Sequence, residues 1–149
     1  AQGHLPGEQE GPPATLAKLS EQLGRWAACY PANFRHKYLL LQAEFSRLRG
    51  TFAETLDLFD QAISAAQASE FVHHVAIASE LCARFLIKQG RSRLAFVYLR
   101  DAYHAYERWG ATAKLSQMVQ SVPELQKDPV LHSAHESVSP TITSSSTLS

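Results

Sequence analysis

Residues 50–62 read GTFAETLDLFDQA, and residues 90–102 read GRSRLAFVYLRDA. A shift of 40 positions lays Gly50 on Gly90 and Ala62 on Ala102, and extends backward to lay Ala43 on Ala83 and Phe45 on Phe85. The apolar positions agree too: Leu41 with Leu81, Leu56 with Phe96, Phe59 with Leu99, Ile63 with Tyr103. In both copies these residues recur at steps of three and four, the spacing of one helix face. Each Gly separates two such faces, so the unit is a helix, a turn and a second helix. A single hairpin cannot bury its own apolar stripe, and tandem copies must stack to do so. Ala43/Ala83 and Ala62/Ala102 let paired helices approach closely, while aromatic neighbours fill the remaining space.

Outward from the repeat, Pro and Gly draw the map. All seven prolines (Pro6, Pro12, Pro13, Pro31, Pro123, Pro129, Pro140) lie outside residues 32–122, where Gly occurs only at 50, 90 and 110. That spacing predicts helices joined by short turns. Phe34, Tyr38, Leu41, Phe45 and Leu48 mark a helix over about 33–49, after which Gly50 is expected in the left-handed conformation. Phe52, Leu56, Phe59, Ile63 and Ala66 mark the next, with Glu54, Asp57 and Asp60 facing water. Further helices are predicted from near Glu70 or Phe71 to Gln89, from about Ser92 to Trp109 and from about Thr112 to Ser121. Thr15 to Cys29 reads as a leading helix, weakened by Gly24 at a cost of about 1 kcal/mol relative to Ala. Residues 1–14 read as a disordered linker, 15–122 as the helical-repeat domain, and 123–149 as a disordered linker with ten Ser or Thr in its last seventeen positions.

The string from Gly50 to Ala62 resembles the turn and second helix of a tetratricopeptide repeat, apart from Thr55, where that pattern has the Ala that Ala95 restores. The 40-residue period exceeds that family's usual length, and helices about one turn longer absorb most of the difference. The expected fold is therefore all-α: a tetratricopeptide-like helical-hairpin solenoid of about two full repeats plus flanking helices. PANFRHKYLLLQAE (Pro31–Glu44) and LAFVYLRDAYHAYERWGATAK (Leu94–Lys114) resemble a helical region of large multidomain sensor histidine kinases. In that family a protein-kinase-like domain and an AAA-type ATPase precede the helical repeats, and a GAF domain and a histidine kinase follow. The resemblance implies that this chain is a piece of such a parent.

Composition narrows the function. Lys+Arg and Asp+Glu both number 14, giving zero formal charge. That balance argues against nucleic-acid or membrane-surface partners, which call for a basic excess, and no apolar run approaches the roughly 20 residues of a membrane span. Two cysteines are too few for a disulfide scaffold, which with the lack of a signal-peptide pattern suggests a reducing, cytoplasmic setting. No phosphate-binding Gly-rich string is present, so no cofactor is expected, and no nucleophile–base spacing points to catalysis.

Single residues read mostly as scaffold. Cys29 and Cys82 are expected as small core hydrophobes, and His36 and His104 as solvated or half-buried. His73 and His74, as helix neighbours, point about 100° apart and make a poor chelating pair. His132 and His135 lack further ligands, so no metal is expected, and HESVSP (His135–Pro140) reads as a chance match to a phospho-accepting histidine motif. Phe96, Tyr98, Tyr103, Tyr106 and Trp109 read as core packing, with the Tyr98 and Tyr106 hydroxyls free to reach surface partners.

One functional lead remains. If the first helix of each hairpin lines an inner groove, Lys37, Leu40, Glu44, Arg47, Ile77, Glu80, Arg84 and Ile87 face it. Lys37, Arg47 and Arg84 would hold an acidic peptide, with Leu40, Ile77 and Ile87 giving apolar contact. The expected role is a non-catalytic interaction and coupling module of an ATPase–sensor histidine kinase in phosphorelay signalling. Its partners would be a protein, a peptide or neighbouring domains of the parent. The alternatives are a stand-alone peptide-binding adaptor and the effector-sensing arm of an ATP-dependent transcription activator.

Overall fold

The computed structural model describes residues 14–127. The expected linker over residues 1–13, most of the Ser/Thr-rich tail, His132 and the HESVSP string lie outside the described residues. Six α-helices follow one another: α1 (Ala14–Cys29), α2 (Pro31–Arg49), α3 (Phe52–Ala68), α4 (Val72–Lys88), α5 (Ser92–Trp109) and α6 (Thr112–Ser121), then a 3-10 turn (Pro123–Lys127). There is no strand among the described residues.

Each helix pairs with its chain neighbour. α2 packs on α3 and α4 on α5 as the two repeated hairpins, α3 packs on α4 to join them, and α2 also touches α4. α1 closes one end on α2; α6 and the 3-10 turn close the other on α5. The small residues of the repeat sit at the close approaches: Ala43, Ala83 and Ala102 are fully buried, and Ala62 nearly so. Ala43, Phe59, Cys82, Phe85, Leu86 and Ala95 form one core cluster. Ala76, Ala102, Ala105, Tyr106, Met118 and Leu125 form a second.

The two hairpins differ where the second copy is apolar. Ser46 and Thr55 occupy the places of Leu86 and Ala95. Their hydroxyls bond to each other at 2.8 Å, and Thr55 also donates to the Thr51 carbonyl at 2.9 Å. The departure of Thr55 from the repeat pattern is thus a satisfied buried hydroxyl, which avoids the cost of an orphaned one. Thr51 caps α3 with a reciprocal pair: its Oγ1 accepts from the Glu54 amide, and Glu54 Oε2 accepts from the Thr51 amide at 3.0 Å.

The turns correct the glycine reading. Gly90 and Gly110 adopt positive φ of 71° and 81°, but Gly50 is extended, at φ −87°. Gly50 is needed for room instead, because a Cβ there would run into the Ser46 hydroxyl that bonds Thr55. The left-handed position between α3 and α4 belongs to Glu70, at φ 59°. Its amide donates to the Gln67 carbonyl and the Phe71 amide to Ala66, the same pair of bonds that Gly90–Arg91 and Gly110–Ala111 make. Gly24 likewise has a steric use: a Cβ there would lie 3.2 Å from the Tyr38 ring where α2 crosses α1.

Three further expectations are revised. The packed unit continues past residue 122, because Leu125 in the 3-10 turn is fully buried in the second cluster. Cys29, at the exposed end of α1, is open to solvent, whereas Cys82 is buried and its thiol pushed up to about 12 by burial and the nearby Asp60 charge. Trp109 is half exposed at the last turn of α5, while Tyr106 is buried.

Candidate functional site

Because α2 and α4 touch across the hairpins, their neighbouring faces form the inner surface of the stack. A cleft of about 160 Å³ opens between their C-terminal halves, lined by Glu44, Arg47, Leu81, Arg84, Phe85 and Lys88. Arg47 pairs with Glu44 at 3.0 Å one turn away, and Arg84 with Glu80 at 2.6 Å. Lys88 adds a third cation, so the rim carries three positive groups against the one carboxylate that lines it. Leu81 and Phe85 supply an apolar floor. Such a cleft can hold a carboxylate beside a small apolar side chain.

The structure brings Glu44, Arg47 and Arg84 together but scatters the other five groove residues. Lys37 lies over the Phe34 ring, 5.3 Å from its centroid, toward α1. Leu40 packs against the first core cluster. Ile77 is half-buried higher on α4, and Ile87 is exposed near the helix end. Glu80 is turned inward and buried: it accepts from the Tyr106 hydroxyl at 2.7 Å and from Lys114 Nζ at 2.8 Å, besides Arg84. Burial alone would raise its carboxyl, but the Lys114 and Tyr106 bonds and the two cations hold it below the usual carboxylate range. It ties α4 to α5 and α6. Tyr98 also finds its partner, donating to Asp60 at 2.6 Å between α5 and α3. Lys88 was open to discovery in the sequence, one helical turn beyond Arg84 on the same face.

A second cluster lies near the N-termini of α2 and α4. His36, at 2% exposure, is deeply buried rather than solvated or half-buried, and it occupies the repeat position of Ala76, a core residue. Its Nε2 lies 3.1 Å from His74 Nδ1, and Phe71 stacks on its ring at 4.7 Å. His36 Nδ1 is buried without a partner. The tautomer that orphans no N–H puts the proton on His36 Nε2, donating to His74. His73 packs on His74 and on Trp109. Among the described residues no group of three or more His, Cys, Asp or Glu could hold a metal ion.

Burial, then the neighbouring His73, His36 and Lys37, push His74 down to about 4, and burial with Lys37 and His73 lowers His36 as well. The unfolded chain takes up these protons near 6.5 and the folded one does not, so stability falls as pH drops from 6.5 toward 4. Solvent at the partly exposed His74 limits the loss to roughly 1–2 kcal/mol. Urea unfolding at about pH 7.5 and about pH 5 checks this: the wild-type midpoint falls, and His74→Gln flattens the difference. Equal slopes in the two proteins would count against the assignment.

A profile of the family described as CHK1-like, TPR repeats, matches residues 1–122. No curated protein and no solved structure matches the chain.

Proposed function

The chain belongs to the family of CHK1-like TPR repeats, and from that premise we propose that it couples neighbouring domains of a multidomain ATPase–sensor histidine kinase in phosphorelay signalling. The helical repeats act as an interaction module, with protein rather than small-molecule partners. No helix among the described residues is long and apolar enough to cross a membrane. The reading places the module in the cytoplasm, in keeping with its neutral charge and sparse cysteines.

The observation that carries the reading is the α2–α4 cleft, where both repeats contribute cations around Leu81 and Phe85. An acidic segment of a neighbouring domain would seat its carboxylates on Arg47, Arg84 and Lys88. Leu40, Ile77 and Ile87 would border the path of that segment, with Lys37 and Glu80 beyond its ends. Because both hairpins border the cleft, a bound segment would favour one angle between them, the differential interaction that coupling needs. Hydrogen exchange on the parent chain tests this: α2 and α4 amides change protection when nucleotide is added, and the Arg47→Glu, Arg84→Glu pair removes the change. Reversing Arg84 sets a second carboxylate one turn from Glu80, its 2.6 Å partner, so the exchange of the pair is read only with circular dichroism and the urea midpoint unchanged. Equal protection with and without nucleotide in the wild type would reject the coupling role.

A further inference from the structure

The turns within the two hairpins, at Gly50–Thr51 and Gln89–Arg91, lie at one end of the stack, away from the histidine cluster. That end is apolar and basic at once. Leu48 is 67% exposed, Ile87 49%, Leu94 39% and Phe52 37%, and Phe52 and Leu94 line one cleft. A cleft of about 550 Å³ lies among Phe52, Gly90, Arg91, Ser92, Arg93 and Leu94. Phe52 is held in place by stacking on Phe85 at 5.5 Å, and the Arg91 guanidinium lies 5.8 Å from its ring centroid. The surface is open at Gly90, where an added Cβ would meet nothing.

The charges at this end do not cancel. Arg91, Arg93 and Lys88 stand at the turn and outnumber Glu54, the ionised carboxylate near Phe52 that caps α3. A partner must therefore bring negative charge together with an apolar side chain that shields Phe52 and Leu94 from water. A nucleic acid supplies charge along a backbone but no aliphatic anchor, and the neutral chain gives it no extended basic track.

We propose that this turn-end surface is a docking site for an acidic peptide segment carrying an apolar or aromatic anchor. The anchor fills the cleft beside Phe52 and Leu94, and flanking carboxylates pair with Arg91, Arg93 and Lys88. The site borders the α2–α4 cleft and shares Lys88 and Phe85 with it, Phe85 also backing Phe52; Arg91, Arg93, Phe52 and Leu94 belong to this site alone.

Fluorescence anisotropy on the full chain, with a labelled peptide of Asp and Glu bearing a central Leu-Trp pair, tests it. The expected result is micromolar binding that weakens with added salt and with replacement of the Leu-Trp pair by Ser. Arg91→Glu with Arg93→Glu lowers affinity at least tenfold, and Leu94→Ser several-fold, with circular dichroism unchanged. Arg35→Glu, near the far end of α2, and the Arg47→Glu, Arg84→Glu pair leave it unaltered. Absence of binding, or binding that the turn-end variants do not affect, overturns the proposal. Loss in the Arg47/Arg84 pair alone moves the site to the α2–α4 cleft, overturning this inference while supporting that reading. Capture by phosphatidylserine vesicles without peptide binding makes the surface a membrane contact and equally rejects the peptide site.

Discussion

Substituting Glu80 with alanine lowers the unfolding free energy by about 3 kcal/mol, a value set by what the carboxylate leaves behind. Tyr106 is 5% exposed, so its hydroxyl loses its acceptor where water cannot replace it. Lys114 loses its 2.8 Å partner but keeps its place over the Tyr106 ring and a 3.4 Å bond to Gln117, so it relaxes toward solvent and adds less. Glu80→Gln retains an acceptor for Tyr106 but gives up the charge and the Oε1 acceptor of Lys114 and Arg84, two cations that can turn to solvent, and its loss is about half as large. Urea unfolding of the two variants and of Lys114→Met, arranged as a double-mutant cycle, separates the ion pair from the hydroxyl bond. Equal losses for Glu80→Ala and Glu80→Gln would mean that the charge alone matters.

Phe59→Ala is expected to cost about 4 kcal/mol, the range for emptying a fully buried aromatic site. Phe59 has no exposed surface, packs within the cluster of Ala43, Cys82, Phe85, Leu86 and Ala95, and meets the Phe85 ring at 6.0 Å. Its neighbours sit on packed helices whose backbones Ala43 and Ala95 already hold close, so the void closes only in part. Leu99, the repeat counterpart, is only partly buried, and Leu99→Ala is expected to cost about 2 kcal/mol. Denaturant unfolding with an unchanged slope checks both values, and similar losses at the two sites would show that the repeats are packed alike.

The fold was legible because the repeat enforces it. Helix periodicity and the positions of Gly90 and Gly110 place α5 and α6 over the spans observed. Gly50 was misread because glycine can mark either a left-handed turn or a close approach, and only the Ser46–Thr55 hydroxyl pair decides between them. The left-handed turn at Glu70 carried no glycine to announce it. The groove was partly legible. Arg47 and Arg84 fall three and four residues beyond Glu44 and Glu80, and the turns of α2 and α4 bring both to the cleft. Glu80 itself was placed wrongly, because its partners Tyr106 and Lys114 come from other helices, far along the chain, where periodicity carries no information. The alignment of His36 with Ala76 did hold the clue to its burial, since both copies bury this position.

Every helix leans chiefly on the one before and the one after it, so the assembly is a row of joints rather than a solid block. A row of this kind bends readily although each joint is stiff, since slight rotations accumulate along its length. Under tension such a row would peel from its termini inward. The Glu80 tether between α4 and α6 would act as a brace across two joints, so the two extremities should differ in mechanical compliance, with the α1 side yielding first.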